Sequence, residues 1–389
     1  MSPDASTAAE PGANHPLPPY RLVADRETWN EALAHLQAQS RIGIDLEANS
    51  MFAYHERACL IQISSATADF IIDPLARIDL SGLGAIIADP AVEKVFHAAE
   101  YDLILLKNGY NWDLTNLFDT MWAARILGYT QVGLASLLAQ FYGVEMSKRY
   151  QKSNWCMRPL TGPQLAYAQM DTHYLLNLRD VLARELEAKD AAEEAAEIFA
   201  EQARVRIPDN GFDPDHFWTM NGVYDMTPAE QATLRALYLF REEQAERRNL
   251  PPFKIMSDKT LMELAQTAPR TADELGRVFG MSPAQQQRFG RQVLGIIAAA
   301  RTAEPPVPPR RTKRPPDSVL NRYDRLQKWR KSRAQARGVE SDVIISRDAM
   351  WKFAEANPRT IEDMAALGAL GPWRLRTYGD DILRALRNG

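Results

Sequence analysis

Asp45 and Glu47 close the run Arg41-Ile42-Gly43-Ile44-Asp45-Leu46-Glu47, which has the apolar, Ile-rich character of a short buried strand. Side chains alternate across a strand with period 2, so the two carboxylates share a face. Like charges on one apolar face repel and are costly to bury without a cation between them. Hard divalent cations such as Mg²⁺ take oxygen ligands and are the usual partner for such a pair. Taken alone, the stretch fits equally well a strand end that carries two solvated acids.

Further acids decide between these readings. Val95-Phe96-His97 reads as a strand, and Ala98-Ala99-Glu100-Tyr101-Asp102 turns into a helix with Asp102 in its first turn. The helix dipole favours a carboxylate there whether its role is chemical or structural. Tyr167 and Asp171 stand at i and i+4, so a phenol and a carboxylate address one point from one helix face. Asp119, in Leu117-Phe118-Asp119-Thr120, reads as the cap of the following helix rather than a ligand. If Asp45, Glu47, Asp102 and Asp171 converge, they can hold two divalent ions suited to activating water and stabilising a phosphoryl transition state. With an ordinary pKa of about 10, Tyr167 would orient that water rather than deprotonate it.

The elements that must position these groups follow from periodicity. Residues 20 to about 190 alternate strands (Tyr20–Val23, Arg41–Leu46, Cys59–Ser64, Asp69–Asp73, Lys94–His97) with helices (Thr28–Gln37, Gly82–Ala88, Tyr101–Asn108, Thr120–Leu127, Leu134–Tyr142). Short connections between Arg41 and Asp73 predict an antiparallel meander; the later strands, separated by helices, predict parallel crossovers. The expected fold is an α/β domain with a mixed sheet flanked by helices. A long helix starts at a Thr161/Gln164 capping box, with Pro163 in its first turn, and runs through Tyr167 and Asp171 towards Glu187. An Ala/Glu-rich helix over 188–206 precedes a break at Pro208-Asp209-Asn210-Gly211.

Composition narrows the class. The chain has 389 residues, 46% hydrophobic and 25% charged, which is ordinary for a soluble globular protein. It has no apolar run of the roughly 18 residues that a membrane span needs. Met1 to Pro19 lacks the basic start and apolar core of a secretory signal and is expected to be a disordered lead-in. Cys59 and Cys156 are expected to be reduced thiols of an intracellular, cytoplasmic protein rather than a disulfide. The net charge of −4 conceals a basic segment: Arg301 to Glu340 holds twelve Lys/Arg against four Asp/Glu.

The second half of the chain repeats. Thr267-Ala268-Pro269-Arg270-Thr271 aligns with Ala356-Asn357-Pro358-Arg359-Thr360 at an offset of 89, without a gap, and Arg241/Arg330, Arg248/Arg337, Ser257/Ser346 and Pro283/Pro372 keep that offset. Two copies of one helical unit are implied. The first opens on a Thr227/Glu230 capping box with Pro228 at the first helical position. A stiff, basic, Pro/Arg-rich linker, Pro305 to Pro316, joins them. The division expected is a lead over 1–19, a catalytic domain over 20–207, a linker over 208–226, helical units over 227–300 and 318–389, and the linker over 301–317 between them.

Asp45-Leu46-Glu47, His97-Ala98-Ala99-Glu100-Tyr101-Asp102 and Tyr167-xxx-Asp171 resemble the three exonuclease motifs of the DEDD superfamily, with Tyr167 marking the DEDDy branch. Gln151-Lys152-Ser153-Asn154-Trp155 and Arg158-Pro159-Leu160 resemble ribonuclease D and its exosome-associated relatives, and the repeat resembles paired HRDC domains. The middle residue of the first motif, Leu46, departs from the Thr common in bacterial ribonuclease D. It faces away from the acids. The resemblance implies a ribonuclease H-like exonuclease domain followed by two all-α HRDC-like domains. It also implies 3′→5′ hydrolysis of single-stranded RNA 3′ ends, tRNA precursors among them, to nucleoside 5′-monophosphates with two Mg²⁺ or Mn²⁺ ions.

His97, Tyr101, Lys148, Arg149, Lys152, Trp155 and Arg158 are candidate RNA contacts by stacking and phosphate pairing. Each has a structural alternative, in the core for Trp155 and as a solvated face for the cations. Arg322, Arg325, Lys328, Arg330, Lys331, Arg333 and Arg337 make the second copy the better RNA platform of the two. A monomer is expected, with no membrane partner, and the sequence identifies no exosome-like partner. A DNA-directed 3′→5′ exonuclease and an inactive nucleic-acid-binding adaptor are the rival readings.

Overall fold

A computed structural model describes residues 17–205, 211–309 and 314–387. It divides into two compact units. Of the described residues, one comprises 17–48, 58–205 and 314–387; the other comprises 49–57 and 211–309.

The first unit is built on a six-stranded sheet: β1 (Arg21–Val23), β2 (Arg41–Ala48), β3 (Ala58–Ser64), β4 (Asp69–Ile72), β5 (Glu93–Phe96) and β6 (Leu117–Asp119), in the order β1-β4-β3-β2-β5-β6. β2, β3 and β4 form the predicted antiparallel meander, and β1, β5 and β6 pair in parallel. β6 is an addition to the sequence reading, which took these three residues only as the lead into a helix. Three residues are too short to show a period.

Helices α1 (Arg26–Gln37), α2 (Ser81–Ala88), α3 (Glu100–Tyr110), α4 (Thr120–Leu127) and α5 (Leu134–Tyr142) flank the sheet. The long helix expected from Thr161 is in fact two, α6 (Gly162–His173) and α7 (Leu175–Ala188), joined at Tyr174. The predicted capping box at Thr161 and Gln164 is present. α8 (Ala192–Gln202) follows. One apolar core, including Ile42, Ile44, Phe70, Val95, Phe96, Leu178 and Leu182, fills the space between sheet and helices.

The two helical copies superpose element on element along the sequence. Helices Pro228–Arg248, Pro252–Ile255 and Asp258–Thr267 recur 89 residues on as Asp317–Arg337, Ser341–Ile344 and Arg347–Ala356. Even the left-handed cap positions recur, Asn249 (φ 46°) with Gly338 (φ 67°) and Ala268 (φ 42°) with Asn357 (φ 49°). The first copy has its own core around Phe217, Leu237, Leu261 and Phe289. The second packs within the same compact unit as the sheet. There Arg337 pairs with the buried Glu194 of α8 at 2.7 Å, and Arg125 of α4 pairs with Glu340 at 2.5 Å.

This placement corrects the expectation for the basic face of the second copy. Arg322, Arg325 and Arg330 donate to backbone carbonyls of Ala354, Ala385 and Ser341, while Arg333 pairs with Asp381 and Arg337 with Glu194. Five of the seven cations therefore hold the fold together, leaving Lys328 and Lys331 on the surface. Among the described residues, no helix is long and apolar enough to cross a membrane. The Pro208–Asn210 break and the centre of the basic linker, residues 310–313, lie outside the described residues.

Candidate active site

β2 carries Asp45 and Glu47 on the face opposite Ile44 and Leu46, which point into the core. α6 lies over that same face because Gly43 has no side chain: a Cβ there would stand 3.1 Å from Leu175 Cβ and 3.4 Å from the Thr172 carbonyl oxygen. Hydrogen bonds set the register of α6. Ser64 donates to Thr172 at 2.7 Å, and Asp69 accepts from Gln169 at 2.7 Å and pairs with His173 at 2.8 Å. Asp171 and Tyr167, on the turn of helix so anchored, are aimed at the strand's acids.

Asp102 arrives by a different route. The chain enters α3 through Ala98 in the left-handed region (φ 63°), an uncommon conformation for a residue with a side chain. Asp119 holds it there. Its carboxylate accepts from the N–H groups of Ala98 (3.1 Å) and Ala99 (2.8 Å), and also from Met121 (2.9 Å) and Trp122 (3.1 Å) at the start of α4. The capping role expected for Asp119 is thus doubled: it binds two helix entries together and thereby positions Asp102.

Carboxylate oxygens of Asp45, Glu47 and Asp171 all lie within 4.8 Å of one another. Asp102 is outside that triple but close enough that the Asp45 and Asp171 charges raise its pKa, while the Leu46 N–H donates to it. Burial is the main cause for all four. It lifts Asp45 to about 7; Glu47 rises to about 10, the charges of Asp45, Asp171 and Asp102 adding to burial, and Asp171 is raised well above the usual range. Among the described residues, no lysine or arginine pairs with any of the four. A set of hard oxygen donors without a cation is what a divalent metal fits.

The Tyr167 ring packs on Trp155 (5.9 Å between centroids) and near Tyr150 (6.2 Å). Its pKa is pushed up by burial and then by Asp171, Glu47 and Asp45, so the phenol keeps its proton. Gln62 was not singled out from the sequence. It pairs with Asp45 across the β2–β3 ladder, is fully buried, and its amide has no hydrogen-bond partner among the described residues. The only sequence signal was a lone polar residue in the apolar run Cys59–Ile63.

The candidate RNA contacts divide. Trp155 is 1% exposed and packs with Leu60, Ile71 and Ala168, so it is core and offers no stacking face. Arg158 is consumed internally: it pairs with Asp73 at 2.6 and 2.7 Å and donates to the carbonyls of Cys59, Trp155 and Met157. His97 is half-buried and pushed down to about 4 by burial, so it is neutral at pH 7 and supplies no charge for phosphate. Thr120 donates to the Phe96 carbonyl at 3.0 Å and so accepts from His97 Nδ1 at 2.9 Å, which places the imidazole proton on that nitrogen. Tyr101, Arg149 and Lys152 are exposed; the Lys148 side chain lies outside the described set. The cysteines are a further correction. Cys59 on β3 and Cys156 form a disulfide across a Cα separation of 4.9 Å. Their 97-residue sequence separation gave no sign of it, because the 147–161 segment reaches β3 only once folded.

A 3′-5′ exonuclease family model matches residues 20–187, and an HRDC domain model matches 230–297 and 319–386. Ribonuclease D of Acidiphilium cryptum is 32% identical over 93% of this chain and 92% of its own length. Ribonuclease D of Gluconacetobacter diazotrophicus is 29% identical over 95% and 93%. Among solved structures, the catalytic core of RRP6 from Trypanosoma brucei aligns with a TM-score of 0.68 at 25% identity, covering 76% of this chain and 84% of that one. Escherichia coli RNase D, described as an exoribonuclease involved in structured RNA processing, aligns in fold with a TM-score of 0.65 at 22% identity over 95% and 99%.

Proposed function

Because this chain belongs to the ribonuclease D family and is a 3′→5′ exoribonuclease, we propose that it removes nucleotides one at a time from single-stranded RNA 3′ ends by two-metal hydrolysis. The observation that carries the reading is the convergence of Asp45, Glu47 and Asp171 within 4.8 Å, with Asp102 and Tyr167 beside them.

In this proposal Asp45, Glu47, Asp102 and Asp171 are the ligands of two Mg²⁺ or Mn²⁺ ions. When bound, the ions supply Lewis-acid polarisation of the scissile phosphate and lower the pKa of water. Tyr167, kept protonated by its surroundings, orients the attacking water by a hydrogen bond. The water gives up a proton to solvent as its oxygen bonds to phosphorus, the P–O3′ bond breaks, and its electron pair leaves on O3′, which takes a proton from solvent. A nucleoside 5′-monophosphate is released. The carboxylate rim repels a phosphate chain that carries no bound cations, so exposed Arg149 and Lys152 and the Tyr101 ring are the groups offered to the incoming strand. Precursors of tRNA and other stable RNAs are the substrates proposed.

Digestion of 5′-labelled single-stranded RNA and DNA with Mg²⁺, Mn²⁺ or EDTA tests this. A one-nucleotide ladder shortening from the 3′ end, faster on RNA and abolished by EDTA, is expected; internal cuts or undiminished activity in EDTA would overturn it. Tyr167→Phe is expected to lower kcat about 100-fold with little change in Mn²⁺ affinity.

A further inference from the structure

Gln62 stands on the face of the sheet that carries the acids. In the antiparallel pairing of β2 and β3 it lies directly opposite Asp45, with Leu60 opposite Glu47 and Ser64 opposite Gly43. Directly opposed residues project their side chains to the same side, with Cβ atoms about 4.5–5.5 Å apart. On the other flank, across β4, the residue opposite Gln62 is Ile71. Leu60 and Ile71 pack with Ala168 and Trp155. The amide is therefore bordered by apolar groups towards β4 and by a carboxylate of the site towards β2.

The neighbouring polar contacts between the sheet and α6 are satisfied. Ser64 donates to Thr172 at 2.7 Å, and Gln169 donates to Asp69 at 2.7 Å and to the Pro18 carbonyl at 2.8 Å. Gln62 differs. It is 0% exposed, yet neither its Nε2 nor its Oε1 has a partner among the described residues. Burying an amide unbonded is costly, and an apolar side chain of similar volume would fill the space without that cost. A glutamine here is accounted for if its partner forms only when the site is loaded. An ionised carboxylate only accepts hydrogen bonds, and the two N–H bonds of the Gln62 amide are both free to donate.

We propose that Gln62 is a positioning residue for Asp45. Its Nε2 donates to the Asp45 carboxylate once that group is ionised on a divalent metal, and so holds the carboxylate in the orientation that ligates the ion. Partners of this kind orient metal ligands, and their loss typically lowers metal affinity about 10–100-fold. The proposal rests on the two-metal reading above.

The test uses the full chain without RNA. Mn²⁺ binding is measured by isothermal titration calorimetry, and thermal melting is followed in EDTA and in Mn²⁺. Gln62→Met keeps the unbranched shape and removes both amide atoms. It is expected to weaken Mn²⁺ binding about tenfold and to shrink the rise in melting temperature that Mn²⁺ gives. In EDTA its melting temperature is expected to equal or exceed that of the parent, because the amide removed was unbonded. Gln62→Leu, a second apolar side chain, is expected to show the same pair of shifts. A merely structural glutamine, bonded to buried water, predicts the reverse: a lower melting temperature in EDTA and an unchanged Mn²⁺ affinity. Either of those results in both variants overturns the role of Gln62. A parent that binds no Mn²⁺ overturns the two-metal reading itself.

Discussion

Asp102→Asn is expected to lower exonuclease turnover by at least about 10³-fold, equivalent to about 4 kcal/mol of transition-state stabilisation. The same change is expected to stabilise the metal-free protein by about 1–2 kcal/mol, raising its melting temperature by a few degrees. Both effects have one cause. Asp102 is buried, its pKa is raised by burial and by Asp45, Asp119 and Asp171, and no cation among the described residues offsets it. Asparagine keeps an oxygen to accept from the Leu46 N–H but removes the repulsion. Metal should then stabilise the variant less than the parent. The checks are turnover on labelled RNA and melting curves with and without Mn²⁺. Near-normal turnover, or a metal-free variant less stable than the parent, would count against the metal assignment.

Arg374→Ala is expected to destabilise the docked second helical copy by about 3 kcal/mol or more. The guanidinium is 3% exposed, bonds Glu197 of α8 at 2.6 Å and also pairs with Glu201. Glu197 in turn accepts from the N–H of Trp373 at 2.6 Å. Gly371 makes room for this carboxylate, since a Cβ there would meet it at 2.2–2.4 Å. Truncating the arginine leaves Glu197 buried with its charge unanswered, which is why the loss exceeds that of an ordinary ion pair. Arg376→Ala provides the contrast. Its partnership with Glu193 is exposed on both sides, and its removal should cost less than about 1 kcal/mol. Thermal melting, with hydrogen-exchange protection over residues 317–387, distinguishes the two. Equal effects would show that burial is not what gives Arg374 its weight.

The site was legible where chemistry and local periodicity coincide. Asp45 and Glu47 share a face because a strand alternates, and Tyr167 and Asp171 share one because a helix turns every 3.6 residues. Thr161/Gln164 and Thr227/Glu230 read correctly as capping boxes because both partners lie three residues apart. The readings that failed concern groups whose partners are distant in sequence. Trp155 and Arg158 looked like RNA contacts because an aromatic and a cation near the Tyr167 helix suit a strand of RNA. What consumes them is Leu60 and Ile71 for one, Asp73 and the Cys59 carbonyl for the other. The arginines of the second copy failed for the same reason.

The sequence by itself therefore determined most of the secondary elements, the meander, the helical repeat and the candidate acids, since each is written within a few residues. Only the tertiary structure decided that Gly43 lets α6 reach the strand, that Asp119 ties two helix entries to aim Asp102, and that Gln62 lies unpaired beside Asp45. It alone also assigned the loop after Glu47 to the first helical copy, where Asn249 and Glu242 secure it. These depend on close approach between segments as much as 195 residues apart, which residue type and spacing along one chain do not encode.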